Sequence, residues 1–342
     1  MRSLFEQEMI DLKNFFVSIA VMAVVIALIS GCGDSGTDSD QLTSRDYRQD
    51  MRDFVRGIST YAKGLNPNFV VIPQNGHELL TDDGEDTGTP VTTYLKAIDG
   101  IGREGLFYGY EDDNVPTPES ERDRMIAFMD IAEDNGVEVL VIDYCWTRSF
   151  VDDSYAQNAA RGYISFAADH RELDDIPAYP ADPYNVNDSD VTSLTEAKNF
   201  LYLINPGRFP DKDAFLNTVR GTNYDIVIID LFYDEVALTA GEVASLKVKA
   251  NGGSRLAIAY MSIGEAEDYR YYWRAEWRAS PPLWLAEENP EWPGNYKVRY
   301  WDGNWQSIIY GSDDSYLNKV LEAGFDGVYL DIIDAFEYFE NR

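Results

Sequence analysis

Eight short apolar runs, rich in β-branched and aromatic residues, recur along the chain at 69–72, 105–109, 137–143, 163–166, 200–204, 225–230, 256–262 and 326–331. Near-continuous apolarity of this kind suits strands covered on both faces, as in a parallel sheet. Helical patterns lie between most of them. The segment 118–135 opens on Pro118 and stops before Gly136, 211–220 stops before Gly221, 240–250 runs into Asn251-Gly252-Gly253, and 313–323 stops before Gly324. Proline at the start and glycine just past the end are standard helix punctuation. Repeated strand-then-helix units predict an α/β fold. Eight strands predict a single (β/α)8 TIM barrel with long loops at its C-terminal face, and a doubly wound open sheet is the alternative. The 342 residues suffice for such a barrel, which needs about 250. No Gly-x-Gly-x-x-Gly or P-loop follows a strand, so nucleotide-binding signatures are absent. Two segments interrupt the alternation. Residues 169–195, rich in Asp, Pro and Asn, read as a loop over the barrel mouth. Residues 273–305 hold six of the seven tryptophans.

The amino terminus reads as an address. Residues 15–29 are apolar apart from Ser18, Lys13 precedes them, and Ile29-Ser30-Gly31-Cys32 follows. The run is short for a span of ~20 residues and suits a secretory signal; an uncleaved membrane anchor is the alternative. Ile29-Ser30-Gly31-Cys32 resembles the bacterial lipobox, in which the cysteine becomes the lipidated mature N-terminus. The expectation is a signal peptide at 1–31, a flexible tether at 32–45 behind a lipidated Cys32, and a folded domain at 46–342. The protein would then be exported and held at the cell surface or outer membrane by its lipid. Glu6, Glu8 and Asp11 are unusual ahead of such a signal, and Met9 is a second possible start. Cys145 is then the one remaining cysteine, so no intrachain disulfide is expected. With His77 and His170 the only histidines, a histidine-rich metal site is excluded.

The net charge is −32. Such a field repels nucleic acid and attracts cationic polymers or divalent ions, although most charged runs are simply solvated faces. The acids also have a pattern. Apolar runs end in Asp143, in Asp230, in Glu265 with Glu267 and Asp268 behind it, and in Asp331 with Asp334 one turn on. Barrel enzymes place their chemistry at the C-terminal strand ends. Carboxylates crowded at a buried rim acquire different proton affinities, and glycoside hydrolysis needs an acid and an ionised partner. The plainer reading is that about half of these acids cap helices or pair with Arg and Lys. Aromatics at early strand ends, including Tyr108 and Tyr144, and in the late insertion, including Trp292 and Trp301, offer flat faces for sugar or core packing beneath loops. Residues 182–190 carry oxygen ligands for Ca²⁺ but lack the EF-hand spacing.

Several segments together resemble the endo-α-1,4-polygalactosaminidases, glycoside hydrolase family 114. They are residues 225–230, the motif Ala259-Tyr260-Met261-Ser262-Ile263-Gly264-Glu265 with its continuation to Tyr269, residues 288–302, and residues 324–331. The match covers the C-terminal third closely and extends loosely back to Phe69. The resemblance implies a (β/α)8 barrel that cleaves an α-1,4-linked galactosamine-type exopolysaccharide without metal or organic cofactor. It implies Asp230 as nucleophile or base and Glu265 as acid/base. Asp143, Tyr144, Tyr108, Tyr260, Asp331, Glu288 and Trp301 are the expected substrate-binding residues, with Glu288 a second acid. A carbohydrate-binding barrel without catalysis is the alternative.

Overall fold

Helix α1 (Tyr47–Leu65) buries Met51, Phe54, Val55, Ile58 and Ala62, a spacing that gathers apolar side chains on one stripe. Asp46 caps it by accepting from the Gln49 amide at 2.8 Å. The computed structural model describes residues 45–342, and Asp46–Arg342 form one compact unit. The signal at 1–31, Cys32 and nearly all of the 32–45 tether lie outside the described residues. Among the described residues, no helix is long and apolar enough to cross a membrane.

The main strands are β1 (Val70–Pro73), β2 (Gly100–Glu104), β3 (Glu138–Tyr144), β4 (Ile164–Ala168), β5 (Phe200–Leu203), β6 (Ile226–Asp230), β7 (Leu256–Ser262) and one near the C-terminus. Between β7 and that last strand come β8 (Glu265–Glu267), β9 (Leu285–Glu288) and β10 (Asn295–Val298), so the last strand is β11 (Gly327–Asp331). Two parallel sheets result, with strand orders β1-β11-β7-β6-β5 and β2-β3-β4. Single parallel bridges, Gln74–Gly102 and Ser165–Asn199, join their margins. The protein is therefore α/β with parallel sheets. All five residues of β6 and all seven of β7 are buried, as strands covered on both faces must be.

Seven of the eight expected runs overlap a strand. The run 105–109 does not; β2 lies just before it, at Gly100–Glu104. Two glycines and two charged residues hid this strand from a search for apolarity. Gly102 is required there, because a Cβ would sit 1.9 Å from the Tyr329 hydroxyl. Helices α2 (Glu119–Asp134), α4 (Lys212–Arg220) and α7 (Tyr316–Ala323) fall within their expected segments. The expected helix 240–250 is shorter, α5 at Ala240–Leu246. Further helices among the described residues include α3 (Arg148–Arg161), α6 (Gly303–Ile309) and α8 (Phe336–Glu340).

Both irregular segments differ from expectation. Residues 169–195 do not simply cover the mouth. Because β4 and β5 are parallel, this connection runs from the C-terminal rim, where Arg171 and Leu173 lie, to the opposite end of the sheet. There Asn187 donates to Asp225 at 3.0 Å and Asp190 accepts from the Ser254 amide at 2.9 Å. The oxygens proposed for Ca²⁺ are thus partly used as struts. Residues 273–305 contribute β9 and β10 to an antiparallel sheet of order β8-β10-β9. Its tryptophans mostly pack on one another: Trp273–Trp277, Trp277–Trp284 and Trp284–Trp305 have ring centroids 5.3, 5.0 and 5.1 Å apart.

At the N-terminal end of β6, Lys249 and Asp225 form an ion pair at 2.9 Å with both side chains fully buried. Asp225 also accepts from the Lys198 amide at 2.9 Å, so one carboxylate ties two connections to the sheet. Removing one partner of such a pair leaves an uncompensated buried charge. Lys249→Met should lower unfolding free energy by about 3–5 kcal/mol, read from urea melts against the wild type.

Candidate active site

A cleft of about 380 Å³ opens at the C-terminal ends of the parallel strands. Asn75 follows β1, while Glu104, Tyr144, Asp230 and Asp331 are the last residues of β2, β3, β6 and β11. Six carboxyl groups line it, Glu104, Asp230, Glu265, Glu267, Asp331 and Asp334, with two guanidiniums, Arg171 and Arg270.

Asp230 ends β6 and is held by Arg270, whose two terminal nitrogens reach its two oxygens at 2.9 and 2.7 Å. The Phe232 amide adds a third bond at 2.7 Å. Burial pushes the Asp230 carboxyl above the usual aspartate range, while Arg270 pulls the other way. Arg270 reaches Glu267 through Nε at 2.5 Å. Its guanidinium is enclosed by the rings of Phe232, Tyr269 and Tyr316, at 5.7, 5.2 and 5.6 Å. The two buried carboxylates hold Arg270 well above its ordinary pKa despite burial. This fork-like geometry is specific to arginine.

Glu265 opens β8 and is fully buried at the cleft wall. Lys297 at 2.6 Å, Asn289 at 2.8 Å and Asn295 at 3.2 Å all donate to it. Lys297 and Asn295 belong to β10, so this carboxylate ties β8 to β10 within the antiparallel sheet.

Asp331 and Asp334 are different. Burial, then the nearby Glu104, pushes Asp331 up to about 7. Burial, then Glu337 and Glu104, pushes Asp334 up to about 7. Tyr260 donates to Asp331 at 2.6 Å and the Ile332 amide at 2.8 Å. Glu104 accepts from Asn75 at 2.8 Å and from the Tyr144 hydroxyl. Ile332 has φ +57°, a left-handed conformation that costs a β-branched residue ~1–3 kcal/mol. It turns the chain so that Asp331 and Asp334 both face the cleft. Gly264 allows this turn to approach, since a Cβ there would lie 2.0 Å from the Ile332 carbonyl.

Of the residues expected from sequence, the cleft gathers Asp230, Glu265, Tyr144, Tyr260 and Asp331. Four lie elsewhere. Asp143 is fully buried, accepting from the Phe107 and Tyr108 amides at 2.9 and 3.2 Å and from Ser154 at 2.6 Å, so it anchors the β2 loop. Tyr108 donates to Asp153 at 2.7 Å and stacks on Phe150. Exposed Glu288 accepts from the Gly294 amide at 2.8 Å. Trp301 packs against Tyr47 and Phe339, at 5.1 and 4.7 Å. Glu104 was missed because β2 was sought five residues too late. Arg270 carried one readable signal, its position three residues after Glu267. Gln74, Asn75, Tyr202 and Arg171 carried none. Trp292, 54% exposed, is the tryptophan that lines the cleft.

Outside the cleft, Asp169, His170 and Asp175 bring ligand atoms within 4.8 Å of one another. Both His170 nitrogens already face carboxylates, Asp169 at 2.5 Å and Asp174 at 2.6 Å.

Two outcomes follow from this geometry. Asp331 and Asp334 bind protons more tightly folded than in the unfolded chain, where an aspartate titrates near ~3.9. The native state therefore holds extra protons across the interval, and stability falls as pH rises from about 4 to about 7. Asp334→Asn should raise the melting temperature at pH 8 and leave it unchanged near pH 3, by calorimetry. Gly264→Ala should cut kcat at least ~10-fold, the scale of a misplaced catalytic group, in a protein whose circular dichroism is unaltered.

Residues 186–342 match glycoside-hydrolase family GH114. An uncharacterized protein of Methanocaldococcus jannaschii is 37% identical over 179 residues, 52% of this chain and 49% of that protein. Uncharacterized proteins of Thermotoga maritima and Deinococcus radiodurans are each 42% identical, over 35% and 37% of this chain and 36% and 39% of their own lengths. The chain thus spans less than half the length of each of these relatives.

Proposed function

We propose that the protein, whose residues 186–342 match glycoside-hydrolase family GH114, is an exported, lipid-anchored glycosidase that cleaves an α-1,4-linked galactosamine-type polysaccharide. One observation carries the chemistry: two carboxyls in one cleft have opposite neighbours, a guanidinium beside Asp230 and the carboxylate Glu104 near Asp331. Asp331, pushed up to about 7, is a proton donor near neutral pH. Asp230, gripped by Arg270, is the partner that attacks the anomeric carbon or activates water. The strands give them room. Asp230 pairs in register with Tyr260 on β7, and Asp331 with Ser262 on the same strand. The two carboxyl-bearing strands are therefore two strand spacings apart, ~10 Å between backbones, enough for a sugar between their side chains. Closure of the two sheets into one (β/α)8 barrel, through the bridges at Gln74–Gly102 and Ser165–Asn199, is part of this reading.

Asp331 replaces Glu265 as the proposed donor of the proton. Glu265 is surrounded by three donors, so its role is to accept and to position Lys297 and the Asn289–Asn295 wall. The excess of six carboxyls over two guanidiniums favours a cationic amino sugar, and Tyr269 and Trp292, half-exposed at the rim, offer flat faces to its ring.

The test is a pH–rate profile on purified α-1,4-galactosamine polymer. The donor must be protonated, so kcat/KM should fall as pH rises through about 7. Asp331→Asn should lose roughly 10²–10⁴-fold in kcat together with that limb, and Asp334→Asn should keep it. Full activity in Asp331→Asn defeats the assignment, and binding without cleavage by the wild type defeats the enzyme reading.

A further inference from the structure

A second cavity, about 260 Å³, adjoins the cleft and shares Asn75, Glu104, Arg171 and Asp334 with it. Its far wall contains Arg103, on β2. Arg103 is only 8% exposed. Among the described residues it makes one hydrogen bond, from Nη1 to His77 Nδ1 at 3.2 Å, and its Nε has no partner there. Among the described residues, no carboxylate forms an ion pair with it. A guanidinium has five donor hydrogens, and leaving them unused in a buried place is costly. The other imidazole nitrogen faces Arg124 at 3.2 Å. Burial and the two guanidiniums hold His77 well below its ordinary pKa, so the ring is neutral and its 3.2 Å approach to Glu78 is not an ion pair. Arg124 is itself satisfied by Glu78 at 3.0 Å. Arg103 is thus a buried donor pinned at one end, lining a cavity that adjoins the cleft.

The charges around it select the acceptor. Glu78, Glu104, Glu121, Asp334 and Glu337 line the same cavity, so a carboxylate or phosphate entering it meets like charge. An ammonium meets three guanidiniums, Arg103, Arg124 and Arg171, against five carboxyls, a weaker pull than the two against six of the cleft. A neutral carbonyl oxygen meets neither penalty. At the rim, Tyr110 is 41% exposed and presents a ring on which a sugar could lie.

We propose that this cavity is a second sugar subsite, in which Arg103 donates to the carbonyl oxygen of an N-acyl group. The inference rests on the glycosidase reading and deepens it: the preferred polymer carries free amines at the carboxylate cleft and an acylated unit beside it.

The experiment measures binding without turnover. Calorimetry on full-length Asp331→Asn protein would compare α-1,4-galactosamine oligomers that are fully free-amine with oligomers that are partly N-acetylated. The partly acetylated oligomer is expected to bind roughly tenfold tighter, the worth of a hydrogen bond to a charged group. Adding Arg103→Gln should abolish that ratio, and adding Tyr110→Ala, at a solvent-facing position that does not threaten folding, should shrink it. Equal binding of both oligomers, or a ratio that survives in folded Arg103→Gln and Tyr110→Ala proteins, overturns the subsite. Failure of the wild type to cleave any polymer, with an Arg103-dependent binding ratio intact, overturns the glycosidase reading and leaves the subsite standing.

Discussion

The cleft depends on the burial of one guanidinium between two carboxylates. Arg270 bonds Asp230 at the end of β6 and Glu267 at the end of β8, within a cage of three aromatic rings. None of the three charges is stable alone at this depth, because desolvation costs several kcal/mol per ion and only close, well-directed pairing offsets it. The triad therefore fixes two elements relative to each other: the parallel strand that carries Asp230, and the antiparallel sheet that walls the cleft. Lys297 and Glu265 repeat the arrangement one step further along that wall. The site's rigidity is electrostatic, and apolar packing is concentrated in the Trp273–Trp277–Trp284–Trp305 cluster of edge-on and tilted rings.

Carboxylates that look alike in sequence diverge according to how many donors reach them. Asp143 receives two amides and a hydroxyl and becomes a strut. Asp225 receives a lysine, an amide and an asparagine and does the same at the other end of the sheet. Glu265 is saturated by three side chains. Asp331 has a tyrosine and one amide against burial and a neighbouring Glu104, which leaves its proton affinity raised. Burial raises the proton affinity of Asp143 as well; what sets Asp331 apart is its place in the cleft with Glu104 beside it.

Much of the frame was readable in the sequence. The runs 225–230 and 256–262 nearly coincide with β6 and β7, because strands buried on both faces must be apolar throughout and must stop where polarity returns. That same rule placed Asp230 and Asp331 at strand ends. It failed at β2, where Gly100 and Gly102 replace apolar side chains because neighbouring side chains, Leu194 and Tyr329, fill the space, and with β2 went Glu104. The tryptophans of 273–305 looked like a sugar platform, but aromatic residues are equally good core, and composition does not distinguish the two.

The sequence by itself determined the parallel α/β frame, the acidic strand ends and the match of residues 186–342 to glycoside-hydrolase family GH114, since each is written in local pattern. Tertiary structure decided which acids are free to act. Whether a carboxylate is a strut or a proton donor depends on donors from distant segments, Arg270 for Asp230, Lys297 for Glu265 and Tyr260 for Asp331, and sequence spacing does not encode those approaches.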